Sequence, residues 1–278
     1  MALMPNGTDA PFADLELAQR LERAEALSSA RFVDSRRRTA PGGGAEWLET
    51  GGTVALYDGA GSPVTQTFCL GLFEPATPGL LDRLEDFFFQ RGAPTQHEVS
   101  PLAGAACFGL LQERGYRLVE LTSVMYRALD GELEAPENVR VTIVREEEAD
   151  LWARVAADGW KDTAPEYYDW ILEIGQVSAR KADSPCFLAW LDDRPVASAG
   201  LSLVAPVAHL AGASTVPEAR QKGAQRALLA ARLRHARDHG CTVAMMGAAP
   251  GSASQRNGER HGFRIAYTRL KWRRDAAQ

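Results

Sequence analysis

Residues 214–233, STVPEARQKGAQRALLAARL, constrain the fold more than any other stretch, because they read as a strand end, a tight turn and a helix in direct succession. The strand side is the apolar run VAHLAGAST, and Pro217 stops its pairing because proline has no backbone N–H. The turn falls at Arg220-Gln221-Lys222-Gly223. Beyond it Ala224, Ala227, Leu228 and Ala231 recur at helical spacing in an alanine- and arginine-rich segment. The first turn of a helix leaves N–H groups without partners. Those donors, with the positive end of the helix dipole, suit a phosphate, and Gly223 lets the backbone come close or take an unusual angle. Arg220, Lys222 and Arg226 add positive charge at the same point.

R-x-x-G-x-Q at Arg220 to Gln225, after V-P-E-A-R and before A-L-L, resembles the acyl-CoA pyrophosphate loop of GCN5-related N-acetyltransferases (the GNAT superfamily), whose usual form is Q/R-x-x-G-x-G/A. Gln225 stands where the family has a small residue, so either the helix approaches the cofactor less closely or the amide makes a contact of its own. Downstream, CTVAMMGA (241–248), a Gly/Ser-rich turn, a short polar helix and GFRIAYTRLKW resemble the family's second half, with its closing G-F and last two strands. On this resemblance Thr215, Val216, Arg220, Gln221, Lys222, Gly223, Ala224, Gln225 and Arg226 hold acetyl-CoA or another acyl-CoA. Ser254 and Asn257 are further candidates for its amides, whereas Ser252 reads at least as well as a helix cap.

At 278 residues with 45% hydrophobic content the chain has enough material for two cores. No run of about 18 apolar residues marks a membrane span, and the opening MALMPNGTDAPFADLELAQRLERAE lacks a signal pattern, so the expectation is a cytoplasmic protein with no membrane partner. A net charge of −5 argues against nucleic acid as a partner. Basic residues are local instead, with Arg232, Arg234 and Arg237 following the loop and Arg256, Arg260 and Arg264 in the next element. Cys69, Cys107, Cys186 and Cys241 sit among apolar neighbours without C-x-x-C spacing, so no metal is expected.

The chain divides in the polar stretch from Asp130 to Glu137, giving domains at 1–134 and 135–278. After it come a strand (VRVTIV), an acid-capped helix, the strands CFLAWL and VASAGLSLV split by Asp192-Asp193-Arg194-Pro195, and the cofactor segment. The first half repeats this order. GTVALYDG and PVTQTFCLGLF read as paired strands, TPGLLDRLEDFFFQRG as a helix, TQHEVSP as a strand, LAGAACFGLLQERGYR as a helix and LVELTSVMYRAL as a last strand. GYRLVELTSVMYR corresponds in position to GFRIAYTRLKWRR. Where the loop should be, the first half has FEPATPGLLDRL, and Pro75 and Pro78 remove two N–H donors. The expected fold is therefore α/β (α+β): two tandem GNAT-like domains, each a mixed, mostly antiparallel sheet flanked by helices, the first without a cofactor loop. The first 30 residues read as a helix, and PGGGA at 41–45 as a turn.

The resemblance implies direct acyl transfer from CoA to an amine, which needs a proton acceptor, a donor to the thioester oxygen and a proton for the leaving thiolate. The oxygen's donor is a backbone N–H near Ala213 to Val216. His209 is the one titratable side chain on that strand and the candidate base. The family's thiolate-protonating tyrosine, in L-Y-x-x-x-G-F, is replaced by Gly258, with Tyr267 a possible substitute. Trp160, Tyr167 and Tyr168, with Trp170, are candidates for the acceptor pocket, and Asp158, Asp162, Glu166 and Asp169 favour a cationic small-molecule or peptide amine. A non-catalytic acyl-CoA-binding module and a tandem acetyltransferase of thiol-precursor biosynthesis are the alternatives, in a monomer or a homodimer.

Overall fold

A computed structural model describes residues 11–131 and 134–276 of the chain. In the first half the order is α1 (Leu15–Thr39), β1 (Glu46–Thr50), β2 (Thr53–Tyr57), β3 (Gln66–Phe68), α2 (Pro78–Phe89), β4 (Thr95–Val99), α3 (Ala105–Glu113) and β5 (Arg117–Ala128). The second half follows with β6 (Arg140–Ile143), α4 (Ala149–Asp158), α5 (Tyr168–Ser178), β7 (Cys186–Leu191), β8 (Arg194–Val204) and β9 (Val207–Thr215). It ends with α6 (Ala224–Asp238), β10 (Val243–Ala248), α7 (Ala253–Arg260) and β11 (Arg264–Arg274). The expected helix at the extreme N-terminus starts at Leu15, where Asp14 accepts the Leu17 N–H, and residues 1–10 lie outside the described residues. Strand β1 leaves no clear mark in the sequence, because EWLET is short and its polar and apolar residues do not alternate.

All eleven strands form one sheet in the order β1-β2-β3-β4-β11-β5-β10-β9-β8-β7-β6. Among the described residues only β3–β4 and β9–β10 pair in parallel. The closing segment is a single strand of 11 residues. Its partners are β4 and β5, both in the first half, while β5 lies between β10 and β11, both in the second. The terminal strands are thus exchanged, and the two sheets become one.

Strand alternation sorts the second half's side chains onto two faces. Phe187, Ala189, Ala208 and Leu210 meet Ala224, Ala227 and Leu228 of α6. Cys186 and Leu188 meet Trp152 and Ala153 of α4, while Val207, Val243 and Met245 meet Leu17 and Leu21 of α1. Each fully buried Leu or Phe of this kind favours the fold by about 1.5–3 kcal/mol. The β7–β8 connection turns through Asp192 and Asp193, both left-handed at φ 47° and 59°, as a tight hairpin requires. Arg232, one of the basic residues that follow the loop, is buried, and its guanidinium donates to the Gly200 carbonyl across the α6–β8 contact.

Candidate functional site

The site starts from a failure of pairing. β9 and β10 run side by side only over Val207–His209 and Val243–Met245, so from Leu210 onward β9 has no partner on that edge. A bulge opens it further: the register against β8 shifts between Ser198 and Gly200, and Gly212 takes a left-handed φ of 62°. The Val216 N–H is taken by the Val196 carbonyl at 2.9 Å, which removes Val216 from the expected oxygen donors. Strand alternation then turns the Thr215 N–H away from β8, toward the opening.

The loop after β9 reverses through two left-handed residues, Gln221 (φ 64°) and Gly223 (φ 88°). Gly223 is the N-cap of α6, and no side chain bonds to the first turn. The amides of Ala224, Gln225 and Arg226 therefore head a helix of 15 residues with its dipole uncompensated. A Cβ at Gly223 would lie 2.9 Å from Cγ of Pro136, so the linker packs directly against the turn. The Gln225 amide makes its own contact, donating to the Ser214 carbonyl at 2.9 Å and to Thr215 Oγ1 at 2.7 Å, and so ties α6 to the end of β9. Lys222 is exposed, and Arg226 lies 3.6 Å from Glu134. Arg220 departs from the expected arrangement. Its guanidinium donates to both carboxylate oxygens of Asp162, at 2.6 and 2.8 Å, and to the Gly159 carbonyl at 2.9 Å.

Ser252 caps α7 by accepting the Gln255 N–H, while Ser254 and Asn257 are exposed on that helix. At Gly258 a side chain would meet Cε of Met125 at 3.2 Å and Sδ of Met246 at 3.3 Å, so two methionines fill the direction a tyrosine would take. Tyr267 is no substitute. It is buried on the α1 side, its hydroxyl donates to Glu22 Oε1 at 2.9 Å, and burial beside that carboxyl pushes its pKa well up.

His209 is buried on the same face, and its Nδ1 has no hydrogen-bond partner among the described residues. Burial pushes the imidazole down from its ordinary 6.5 to about 4, against the pull of the Glu25 carboxylate and with Lys181 and Arg269 adding to the depression. The near-neutral titration expected of it is thus corrected by its surroundings. On the acceptor side Trp160 and Tyr167 are about half exposed, and Tyr167 packs edge-on against Trp170 with ring centroids 6.2 Å apart. Tyr168 is half-buried and donates to Asp158 at 3.3 Å. No group of three or more His, Cys, Asp or Glu among the described residues is arranged to hold a metal, and no helix among them is long and apolar enough to cross a membrane.

The sheet splays between two parallel strands, with an uncapped helix at the mouth. Residues 143–263 match the model described as "Acetyltransferase (GNAT) family". The second half therefore carries a GNAT-family segment, and the whole chain has the fold of a tandem GNAT structure. Three solved structures resemble it over nearly their whole lengths. A GCN5-related N-acetyltransferase from Kribbella flavida has a TM-score of 0.66 at 18% identity, covering 94% of this chain and 96% of that one. Another from Sphaerobacter thermophilus has 0.53 at 15%, covering 94% and 93%. A tandem GNAT protein from the clavulanic acid biosynthesis pathway has 0.58 at 13%, covering 96% and 98%. No curated protein matches the chain.

Proposed function

We propose that this chain is an N-acetyltransferase that moves an acetyl group from acetyl-CoA to a primary amine of a small molecule or peptide, with one functional cleft per chain, in the 135–278 domain. The observation that carries this reading is the unpaired edge of β9 running into the left-handed turn at Gly223 and the uncapped start of α6. In this reading the phosphates sit on the amides of residues 221–226, with Lys222 and Arg226 supplying charge, and the pantetheine lies along β9. The thioester oxygen accepts from a backbone N–H in the range Ala213–Thr215. Ser254 and Asn257 face the cofactor from α7, and Trp160, Tyr167 and Tyr168 receive the amine beside Asp158. His209 as base acts only in its neutral form, which burial favours down to about pH 4.

The test is acetyl-CoA mixed with an amine library, reading free thiol, together with calorimetric titration of CoA. Thiol release with any amine and one CoA bound per chain support the enzyme. Specific features favour a second reading: Gly258 backed by methionines and Tyr267 bound to Glu22 leave the leaving thiolate without an evident side-chain acid. Tight CoA binding with no release across the library would make the chain a binding module.

A further inference from the structure

The segment between α4 and α5 is fastened to the cofactor loop at three places. α4 ends at Gly159, whose backbone lies so close to β9 that a Cβ there would come within 2.6 Å of Cβ and Oγ of Ser214 and 3.0 Å of the Thr215 nitrogen. The Ser214 hydroxyl also donates to the Ala156 carbonyl at 3.0 Å. Next, Arg220 holds Asp162 with two parallel bonds and Gly159 with a third. Beside them Lys161 donates to Glu218 at 3.0 Å. The turn so held is closed internally, with the Thr163 and Ala164 amides both donating to the Trp160 carbonyl.

A guanidinium bonded on two nitrogens by one carboxylate, with Glu218 also close in sequence, presents little net charge to an anion. A phosphate drawn to Arg220 would have to approach Asp162 as well, and like charges at such range repel. The paired geometry is also the one in which Arg differs most from Lys, since its planar fork fixes orientation along with distance. We infer that Arg220 is a positioning residue: with Asp162 it forms a strut that seats the acceptor-side segment 158–168, carrying Trp160, Tyr167 and Tyr168, on the loop that receives the cofactor. The inference rests on reading this cleft as the acyl-CoA site and assigns its loop arginine to the amine side. The strut makes the acceptor wall move with the cofactor loop, so the aromatic residues keep their place relative to the thioester.

The experiment uses the full chain and its Asp162→Asn, Arg220→Ala, Asp162→Glu and Asp162→Asn/Arg220→Ala variants. Two quantities are read: hydrogen exchange of amides 158–168, and CoA affinity by calorimetry. Each of the first two substitutions should speed exchange in 158–168 by about three- to fivefold, the scale of a well-formed but solvent-exposed ion pair, and the double variant no further. Asp162→Glu, which keeps the charge, should recover slower exchange. CoA affinity should stay within about threefold of the parent in both single variants, against the larger loss that removing a charged phosphate contact brings. Two results overturn the strut. One is unchanged exchange in both single variants; the other is CoA binding that loosens about tenfold in Arg220→Ala and tightens in Asp162→Asn, the pattern of a phosphate ligand shielded by a competing carboxylate. A parent that binds no CoA would remove the acyl-CoA reading, while the exchange data would still decide the strut.

Discussion

Gly223 carries two independent demands, a left-handed backbone and a missing side chain against Pro136. Gly223→Val forces a β-branched residue to φ 88° and drives its Cβ into the linker, a combined strain of about 1–3 kcal/mol in a chain that otherwise keeps its core. The expected outcome is a folded variant with no measurable CoA binding by calorimetry; unchanged affinity would remove the loop from the site. His209 makes a different prediction. A folded pKa of about 4 against an ordinary 6.5 means that unfolding takes up a proton between those values, so its contribution is present above about pH 6.5 and is lost as pH falls toward 4. That contribution is on the order of 3 kcal/mol, and His209→Gln should flatten the fall in urea stability between pH 6.5 and 4. An identical pH dependence in the variant would mean that the ring is solvated. The loop was legible in the sequence because a positive φ and a close approach both demand glycine. The β9 donors were not, because a backbone N–H leaves no mark on the residue that carries it, and the low pKa of His209 comes from burial in the folded chain, with Lys181 and Arg269 adding to it, none of which is local to its strand.

At the scale of elements, α2 and α6 occupy corresponding places and differ where it matters. α2 begins at Pro78, and the Thr77 hydroxyl accepts the Leu80 N–H at 3.2 Å, so its first turn is closed by its own side chain. α6 begins uncapped. The sequence showed this difference through Pro75 and Pro78, and it also showed most helices and strands, since their periodicity is local. It did not show which strands meet. β11 pairs only with β4 and β5, so residues 135–278 alone would leave that strand without either neighbour and would bare the β5 edge of β10. An open edge of this kind pairs with other chains. We expect the 135–278 fragment to aggregate when expressed alone, and to be recovered soluble when co-expressed with 1–134. A monomeric fragment with a cooperative melt would show that the exchange is dispensable. The reason it escaped sequence reading is physical: GYRLVELTSVMYR and GFRIAYTRLKWRR have the same local pattern, and nothing local distinguishes pairing within a half from pairing across halves.

Across the whole molecule the two halves share a buried ionic centre. Arg269 of β11 is 3% exposed and bonds Glu22 and Glu25 of α1, at 3.2 and 2.7 Å, and Glu98 of β4 at 2.8 Å; Lys271 reaches Glu98 at 3.1 Å. With three carboxylates around one guanidinium, burial drives Glu22 up to about 7, while Arg269 helps hold Glu25 low. Removing the cation leaves the carboxylates buried together, so Arg269→Met should cost about 3–5 kcal/mol, the usual loss when one partner of a buried ion pair is deleted. The sign of its pH dependence follows. Without Arg269 the carboxyls bind protons more tightly in the folded chain than in the unfolded one, so the deficit should be smallest near pH 5 and grow toward pH 8 as unfolding releases those protons. Because α1, β4 and β11 meet at this one residue, the loss should appear in a single cooperative transition that reports both halves. Urea denaturation followed at Trp47 and Trp160, retained singly in chains whose other tryptophans are replaced by Phe, measures all three features. Two separated transitions in the parent chain, or a deficit that shrinks as pH rises, would refute the shared centre.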